Sequence, residues 1–283
     1  MIDIKNLSFG YGKKGLFSEL DLFMGPGNIC GLLGKNGAGK TTLLKLMAGL
    51  LFPQKGNAII MENTPSRRSP DFLHDLFFLP EIFSLPPVTP EQYEKIYSPF
   101  YPNFSNIQYK QYLKEFDLIS DEKLSSYSYG QKKKFLISFG LATGCRLMLL
   151  DEPTNGLDIP SKSQFRKVLA SILTDDQLII ISTHQARDLE NLIDSVIILD
   201  EGRIIFNHST EEILNRLKVV YQTEPPDPEK VLLSEQRLDG YMVVMENHLQ
   251  EATNIDLETI FNTIIQNKSK ISQIFKVKME GTR

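Results

Sequence analysis

The run Gly34-Lys35-Asn36-Gly37-Ala38-Gly39-Lys40-Thr41 spaces three glycines, a lysine and a hydroxyl in the order Gly-x-x-x-x-Gly-Lys-Thr. Glycines let successive backbone N–H groups curl around an anion without a Cβ in the way, and a following helix adds its positive end. The lysine can reach the outer phosphates of a nucleotide and the hydroxyl can ligate a divalent cation. Gly34, Asn36, Gly37, Gly39, Lys40, Thr41 and Thr42 are therefore expected to hold a nucleoside phosphate, with Thr42 on an inner phosphate. A second chemical end lies at Asp151-Glu152, after the apolar run Leu147-Met148-Leu149-Leu150. Strands of a parallel sheet deliver their carboxyl ends to the ligand crevice. Asp151 can orient a metal ion, by way of water, while Glu152 positions or polarises an attacking water. An exposed acidic turn capping the next helix is the alternative for Asp-Glu alone.

The elements that must position these groups are legible as periodicities. Alternation over Ile2–Leu7 and Leu20–Met24 predicts short antiparallel strands, and Ile29–Leu33 a buried strand running into the Gly-rich turn. Helices are expected at Lys40–Leu50, Gly130–Ala142, Ser161–Leu173 and Ala186–Ile193, and strands at Ala58–Glu62, Leu147–Leu150, Leu178–Ser182 and Ser195–Leu199. Alternating apolar runs and helices imply an α/β fold, a P-loop NTPase core with a parallel sheet, an antiparallel N-terminal β subdomain and an inserted helical subdomain. The insertion, about residues 85–140, carries Tyr93, Tyr97, Phe100, Tyr101, Phe104, Tyr109, Tyr112 and Phe116, read as its own core. Residues 1–218 are expected to form the nucleotide-binding domain. Residues 219–283 are expected to be a small α+β extension with a basic tail, beyond a Pro-rich linker or turn at 223–228.

Further landmarks fall into one order. Asp151-Glu152-Pro153-Thr154-Asn155-Gly156-Leu157-Asp158 resembles the extended Walker B and D-loop of ATP-binding-cassette (ABC) ATPases. Ser128-Tyr129-Gly130-Gln131, opening a helix before that strand, resembles the family's signature loop. His184 matches the switch histidine, Tyr11 the aromatic that stacks on adenine, and Leu79-Pro80-Glu81 the Q-loop. The resemblance implies ATP and Mg²⁺ as ligands, with Glu152 and His184 catalytic and Thr41, Glu81 and Asp151 serving the metal. It also implies that two such subunits, identical or paralogous, sandwich each ATP between one phosphate loop and the other subunit's Ser128, Gly130 and Gln131.

Two positions depart from the family pattern. Tyr129 stands where the first of two signature glycines is expected, with Tyr127 in place of the commoner leucine, and Glu81 stands where a glutamine is expected. Both resemble the branch that serves ABC-2-type exporters, as do Phe100-Tyr101-Pro102-Asn103-Phe104 and the ending Asp256–Phe261. Lys132-Lys133-Lys134 lie early in the signature helix, where the dipole disfavours cations. They read either as opposing a triphosphate across the dimer or as a solvated basic face.

The 283 residues carry a net charge of -4, with 41% hydrophobic and 23% charged residues, so no basic face points to nucleic acid. Cys30 and Cys145 suit reduced thiols in a cytoplasmic protein. No run approaches the roughly 20 apolar residues that span a bilayer, and the N-terminus lacks a secretory pattern. A membrane role would then be peripheral, on the cytoplasmic face, through integral-membrane permease subunits. Ile82-Phe83-Ser84-Leu85 reads as the surface that receives them, or as packing for the helical subdomain. The alternative is a single-cassette soluble ABC ATPase in a non-transport assembly. Only 93 residues separate Gly34 from Ser128 and no heptads intervene, which disfavours the coiled-coil chromosome and repair members. The missing Asn-Lys-x-Asp disfavours GTPases. The tail from 268 onward, rich in lysine with Ile271, Ile274 and Phe275 on one face, reads as a membrane or permease contact or as a solvated terminus.

Overall fold

The computed structural model describes residues 1–118, 121–189, 192–254 and 256–276. The chain opens with β1 (Ile2–Tyr11), β2 (Lys14–Met24) and β3 (Asn28–Leu33), followed by α1 (Lys40–Met47) and β4 (Lys55–Ile60). Strands β2, β1 and β4 form an antiparallel sheet in that order. Alternation along β1 sends Ile2, Ile4, Leu7 and Phe9 inward, where they meet Leu43, Leu44 and Met47 of α1 in one apolar cluster.

Next come α2 (Pro70–His74), β5 (Leu76–Leu79), α3 (Pro90–Tyr97), α4 (Asn106–Glu115) and α5 (Tyr129–Ala142). They are followed by β6 (Leu147–Asp151), α6 (Ile159–Ile172), β7 (Leu178–Thr183), β8 (Ser195–Asp200) and β9 (Arg203–Ser209). The main sheet has the order β5-β6-β7-β3-β8-β9, parallel throughout except for the antiparallel β8–β9 edge. Its middle strands are apolar on both faces, as a sheet covered on two sides requires. Leu178–Ile181 of β7 are wholly buried, Ile179 and Ile181 facing the helical side and Leu178 and Ile180 the side of α1. Since β3, β6 and β7 run parallel in register, their carboxyl ends, at Leu33, Asp151 and Thr183, lie along one rim.

The helices α3 to α5 stand between β5 and β6 and are held by aromatic packing. Tyr93 stacks on Tyr97 at 4.2 Å and meets Phe135 and Phe139 edge-on, while Phe104 and Tyr109 close on Phe139. The aromatics of this insertion thus form its core, Phe100 alone among those named being exposed. Thr89 starts α3 and Ser128 starts α5 with reciprocal capping boxes, each closed by a glutamine three residues on.

The remaining elements are α7 (Thr210–Arg216), β10 (Leu217–Gln222), β11 (Leu233–Arg237), β12 (Gly240–Glu246), α8 (Leu257–Gln266) and α9 (Lys268–Lys276). Strands β10, β12 and β11 make a third, antiparallel sheet, so the Pro-rich segment 223–228 connects two strands within one sheet. The expected helix Ala186–Ile193 is instead a single 3-10 turn over Ala186–Leu189, with residues 190 and 191 outside the described set. A salt bridge from Arg187 to Glu258 at 2.7 Å ties that turn to α8. Over Lys268–Lys276 the tail is docked, its apolar face covered by the chain itself. Lys268 pairs with Asp200, Ile271 is buried, and Phe275 packs on Phe206 and His208 beneath Arg216. Lys278, Glu280 and Arg283 lie outside the described residues.

Candidate active site

The Gly-rich turn leaves β3 and enters α1 with Gly39 at φ 109°, a conformation that suits glycine, and a Cβ there would meet the Phe17 ring at 2.8 Å. Directly above lies a cleft of about 650 Å³. Its walls include Asn36, Gly37, Gly39, Lys40, Thr41 and Thr42 from the turn and helix, and Tyr11 from the end of β1. Glu81, Glu152 and His184 close its far side. Nine of the residues expected from their motifs to hold or hydrolyse a nucleotide are thus joined by Glu81 around one cavity.

Lys40 is buried, and its ammonium donates to the carbonyl of Gly34 at 2.7 Å. Burial lowers its pKa below the ordinary lysine value, an effect opposed by the negative charges of Glu152, Asp151 and Glu81. Gly34 itself sits behind the loop, where a Cβ would come within 2.5 Å of the Leu199 carbonyl. Tyr11 is exposed at the mouth, its hydroxyl 3.2 Å from that of Thr42 and its ring edge-on to Phe9.

Asp151 ends β6 at 1% exposure with both carboxylate oxygens engaged. Thr41 donates to Oδ2 at 2.7 Å and Ser182 donates to Oδ1 at 2.5 Å. It therefore stands behind Thr41 rather than on the cleft surface. Thr41, Asp151 and Glu81 offer only oxygen donors, the ligand set that a hard cation such as Mg²⁺ takes.

Glu152 turns sharply into the cleft. Its φ is 47°, uncommon for a residue with a Cβ, and its N–H is fixed by the carbonyl and hydroxyl of Ser182 at 3.1 and 3.2 Å. The residue is 6% exposed, and Oε1 lies 2.9 Å from Nδ1 of His184. An ionised carboxylate only accepts, so Nδ1 carries the proton of that bond. His184 follows β7, beyond Thr183, and the same sheet register that places Ser182 beside Asp151 brings it to Glu152.

Ser128, Gly130 and Gln131 do not line this cleft. The Ser128 hydroxyl accepts from the Gln131 N–H at 3.2 Å, and the Gln131 side chain accepts from the Ser128 N–H at 2.8 Å, on an exposed helix start. The three lysines that follow have separate fates. Lys133 is wholly buried, its ammonium donating to the carbonyls of Glu152 at 2.7 Å and Asn155 at 3.1 Å, so it neither faces a ligand nor solvent. Lys132 and Lys134 stay partly exposed. Phe83 and Leu85 pack half-buried against the helical core, leaving Ile82 at 86% exposure as the open apolar side chain of that loop.

Sequence reasoning missed several contributors. Lys14, Gly15 and Leu16 line the cleft because β2 folds back along β1, and Asn155 enters it with its amide 3.3 Å from a Glu81 oxygen. Ser182, which fixes both acids, has no signal beyond lying near the end of a strand.

A Gly-rich cradle at the carboxyl rim of a parallel sheet, faced by a carboxylate and a histidine, defines a P-loop nucleotide hydrolase. The family model described as ABC transporter matches residues 17–155. The lantibiotic transport ATP-binding protein SrtF of Streptococcus pyogenes is 28% identical over 232 residues, covering 76% of this chain and 96% of its own length. The Nod factor export ATP-binding protein I of Rhizobium etli is 28% identical over 222 residues, covering 76% and 70%. A solved ATP-binding subunit of an ABC transporter superposes with a TM-score of 0.68 at 25% identity, over 75% of this chain and 91% of that one. Over about three quarters of its length the chain is thus similar to the ATP-binding subunits of ABC transporters, in sequence and in fold. Among the described residues no helix is long and apolar enough to cross a membrane.

Proposed function

We propose that this subunit dimerises around two ATP molecules and drives export through a separate membrane permease, lying peripherally on the cytoplasmic face. One observation carries the dimeric part. The phosphate cradle and the exposed start of α5 at Ser128–Gln131 are separate surfaces of the same chain. A helix start is an anion-binding device, and here it can serve an ATP only if a second subunit, identical or paralogous, presents it. The relatives named for lantibiotic transport and Nod factor export support the export reading.

Within one site each residue has a task. Tyr11 offers its ring to the base, the loop N–H groups and Lys40 hold the phosphates, and Thr42 meets an inner phosphate. Thr41 and Glu81, with Asp151 behind them, would hold Mg²⁺, which supplies charge neutralisation along the phosphates when bound. Glu152 orients and polarises the attacking water. His184, held by Glu152, contacts the γ-phosphate and marks its presence.

The deciding experiment is Mg²⁺-ATP hydrolysis by wild type and Glu152→Gln, with oligomeric state followed in the same samples. Turnover by wild type, with a variant that binds ATP, stalls and accumulates as a dimer, is expected. A variant that hydrolyses normally as a monomer would overturn both the role of Glu152 and the composite site. Co-purification of an integral-membrane protein separates export from a soluble assembly.

A further inference from the structure

A buried lysine is an expensive way to fill a core, because its charge must leave water and every donor must be met. Lys133 nevertheless lies at 0% exposure beneath α5. Its ammonium bridges two main-chain carbonyls, those of Glu152 and Asn155, and so clamps the strained turn that aims Glu152. One helical turn earlier on the same face, the Tyr129 ring covers that ammonium with its centroid 5.2 Å away.

Tyr129 itself touches two further segments. Its ring stacks on Phe83 at 5.6 Å and 23°. Its hydroxyl donates to the main-chain carbonyl of Glu81 at 2.6 Å. Its ring edge also rests on Gly156, where an added Cβ would fall within 2.9 Å of it. Across the same gap the Asn155 amide donates to the Glu81 carboxylate at 3.3 Å. The residue standing where the first of the two signature glycines is expected thus fills the junction between the Glu81 loop, the start of α5 and the turn 152–156.

We propose that Tyr129 and Lys133 are positioning residues forming a latch, through which displacement of the Glu81–Phe83 loop is passed to the backbone that aims Glu152. The latch rests on the reading of Glu152 as the hydrolytic carboxylate. Neither residue lines the nucleotide cleft of its own chain, so both act on the rate of hydrolysis and leave the affinity of that cleft for nucleotide alone. A merely structural pair would lower thermal stability with kcat unchanged.

The test uses the full chain carrying Tyr129→Phe, Lys133→Met, both together, or Lys133→Arg, with Glu152→Gln alongside. Steady-state hydrolysis and binding of a fluorescent ATP analogue are measured on each. We expect each single variant to lose about five- to ten-fold in kcat, with analogue affinity within about two-fold of wild type. The double variant should be no slower than Lys133→Met, since the two act as a unit, and Lys133→Arg should recover part of the rate. Wild-type kcat in folded Tyr129→Phe and Lys133→Met, with Glu152→Gln inactive, would overturn the latch alone. Losses that multiply in the double variant would overturn it too. Normal turnover by Glu152→Gln would remove the reading beneath it. If Lys133→Met does not fold, Tyr129→Phe, which deletes one hydroxyl from a side chain on a residue 46% exposed, decides the matter in the same two directions.

Discussion

Thr41 donates its hydroxyl proton to Oδ2 of Asp151 at 2.7 Å, a bond that joins the phosphate cradle to the hydrolytic strand across 110 residues. The other oxygen of the same carboxylate is taken by Ser182 at 2.5 Å. Removing either donor leaves a buried carboxylate lone pair unmet. Ser182→Ala should therefore cost about 1–3 kcal/mol in stability, read by urea unfolding. It should also raise the Mg²⁺ concentration needed for half-maximal hydrolysis, because Asp151 then swings more freely behind Thr41.

The His184–Glu152 bond at 2.9 Å ties the proposed switch histidine to the proposed hydrolytic carboxylate. His184→Ala should lower kcat by about 10²-fold, the size of a lost acid–base or positioning group. ATP affinity should move little, since Lys40 and the loop N–H groups remain. Steady-state kinetics with a separate binding titration check this split.

Ile82 and Phe83 are neighbours with opposite surroundings, and substitution should separate docking from folding. Ile82→Asp, on an open surface, should change unfolding free energy by less than about 0.5 kcal/mol while releasing co-purified membrane subunits. Phe83→Asp breaks the stack on Tyr129 and places a charge against apolar neighbours. It should lower the unfolding free energy by about 2 kcal/mol or more. Thermal unfolding and affinity purification from membranes read the two effects.

Burial pushes the thiols of Cys30 and Cys145 up to about 12 from an ordinary 9.0. Thiols held protonated resist alkylation, so both should be inert to iodoacetamide at pH 8 and react once urea unfolds the chain. The folded pKa exceeds the unfolded one, so between those values the unfolded chain binds fewer protons. The stability that these thiols contribute is whole below pH 9 and is lost as pH rises toward 12. A Cys30→Ala, Cys145→Ala variant should lose that part of the slope in unfolding free energy against pH.

The sequence by itself determined the cradle, the order of the landmarks and the α/β class. The phosphate loop is written in backbone chemistry, where glycine spacing, one lysine and one hydroxyl act within eight consecutive residues, so local sequence suffices. Strand ends such as Leu150-Asp151 are equally local, and a parallel sheet carries them to one rim whatever their separation along the chain.

Only the tertiary structure decided which side chains of these segments face one another. From Phe135 to Ala142 helix α5 is buried on every side, so its sequence bears no amphipathic stripe that could single out the inward lysine among Lys132, Lys133 and Lys134. The carbonyls that receive Lys133 belong to a turn 19 and 22 residues away, and backbone acceptors leave no mark in residue type. Lys14 and Leu16 enter the cleft through strand pairing, and Ser182 meets Asp151 through sheet register. Pairing and register are set by how whole faces bury their apolar area, a property of the assembled core rather than of any segment read alone.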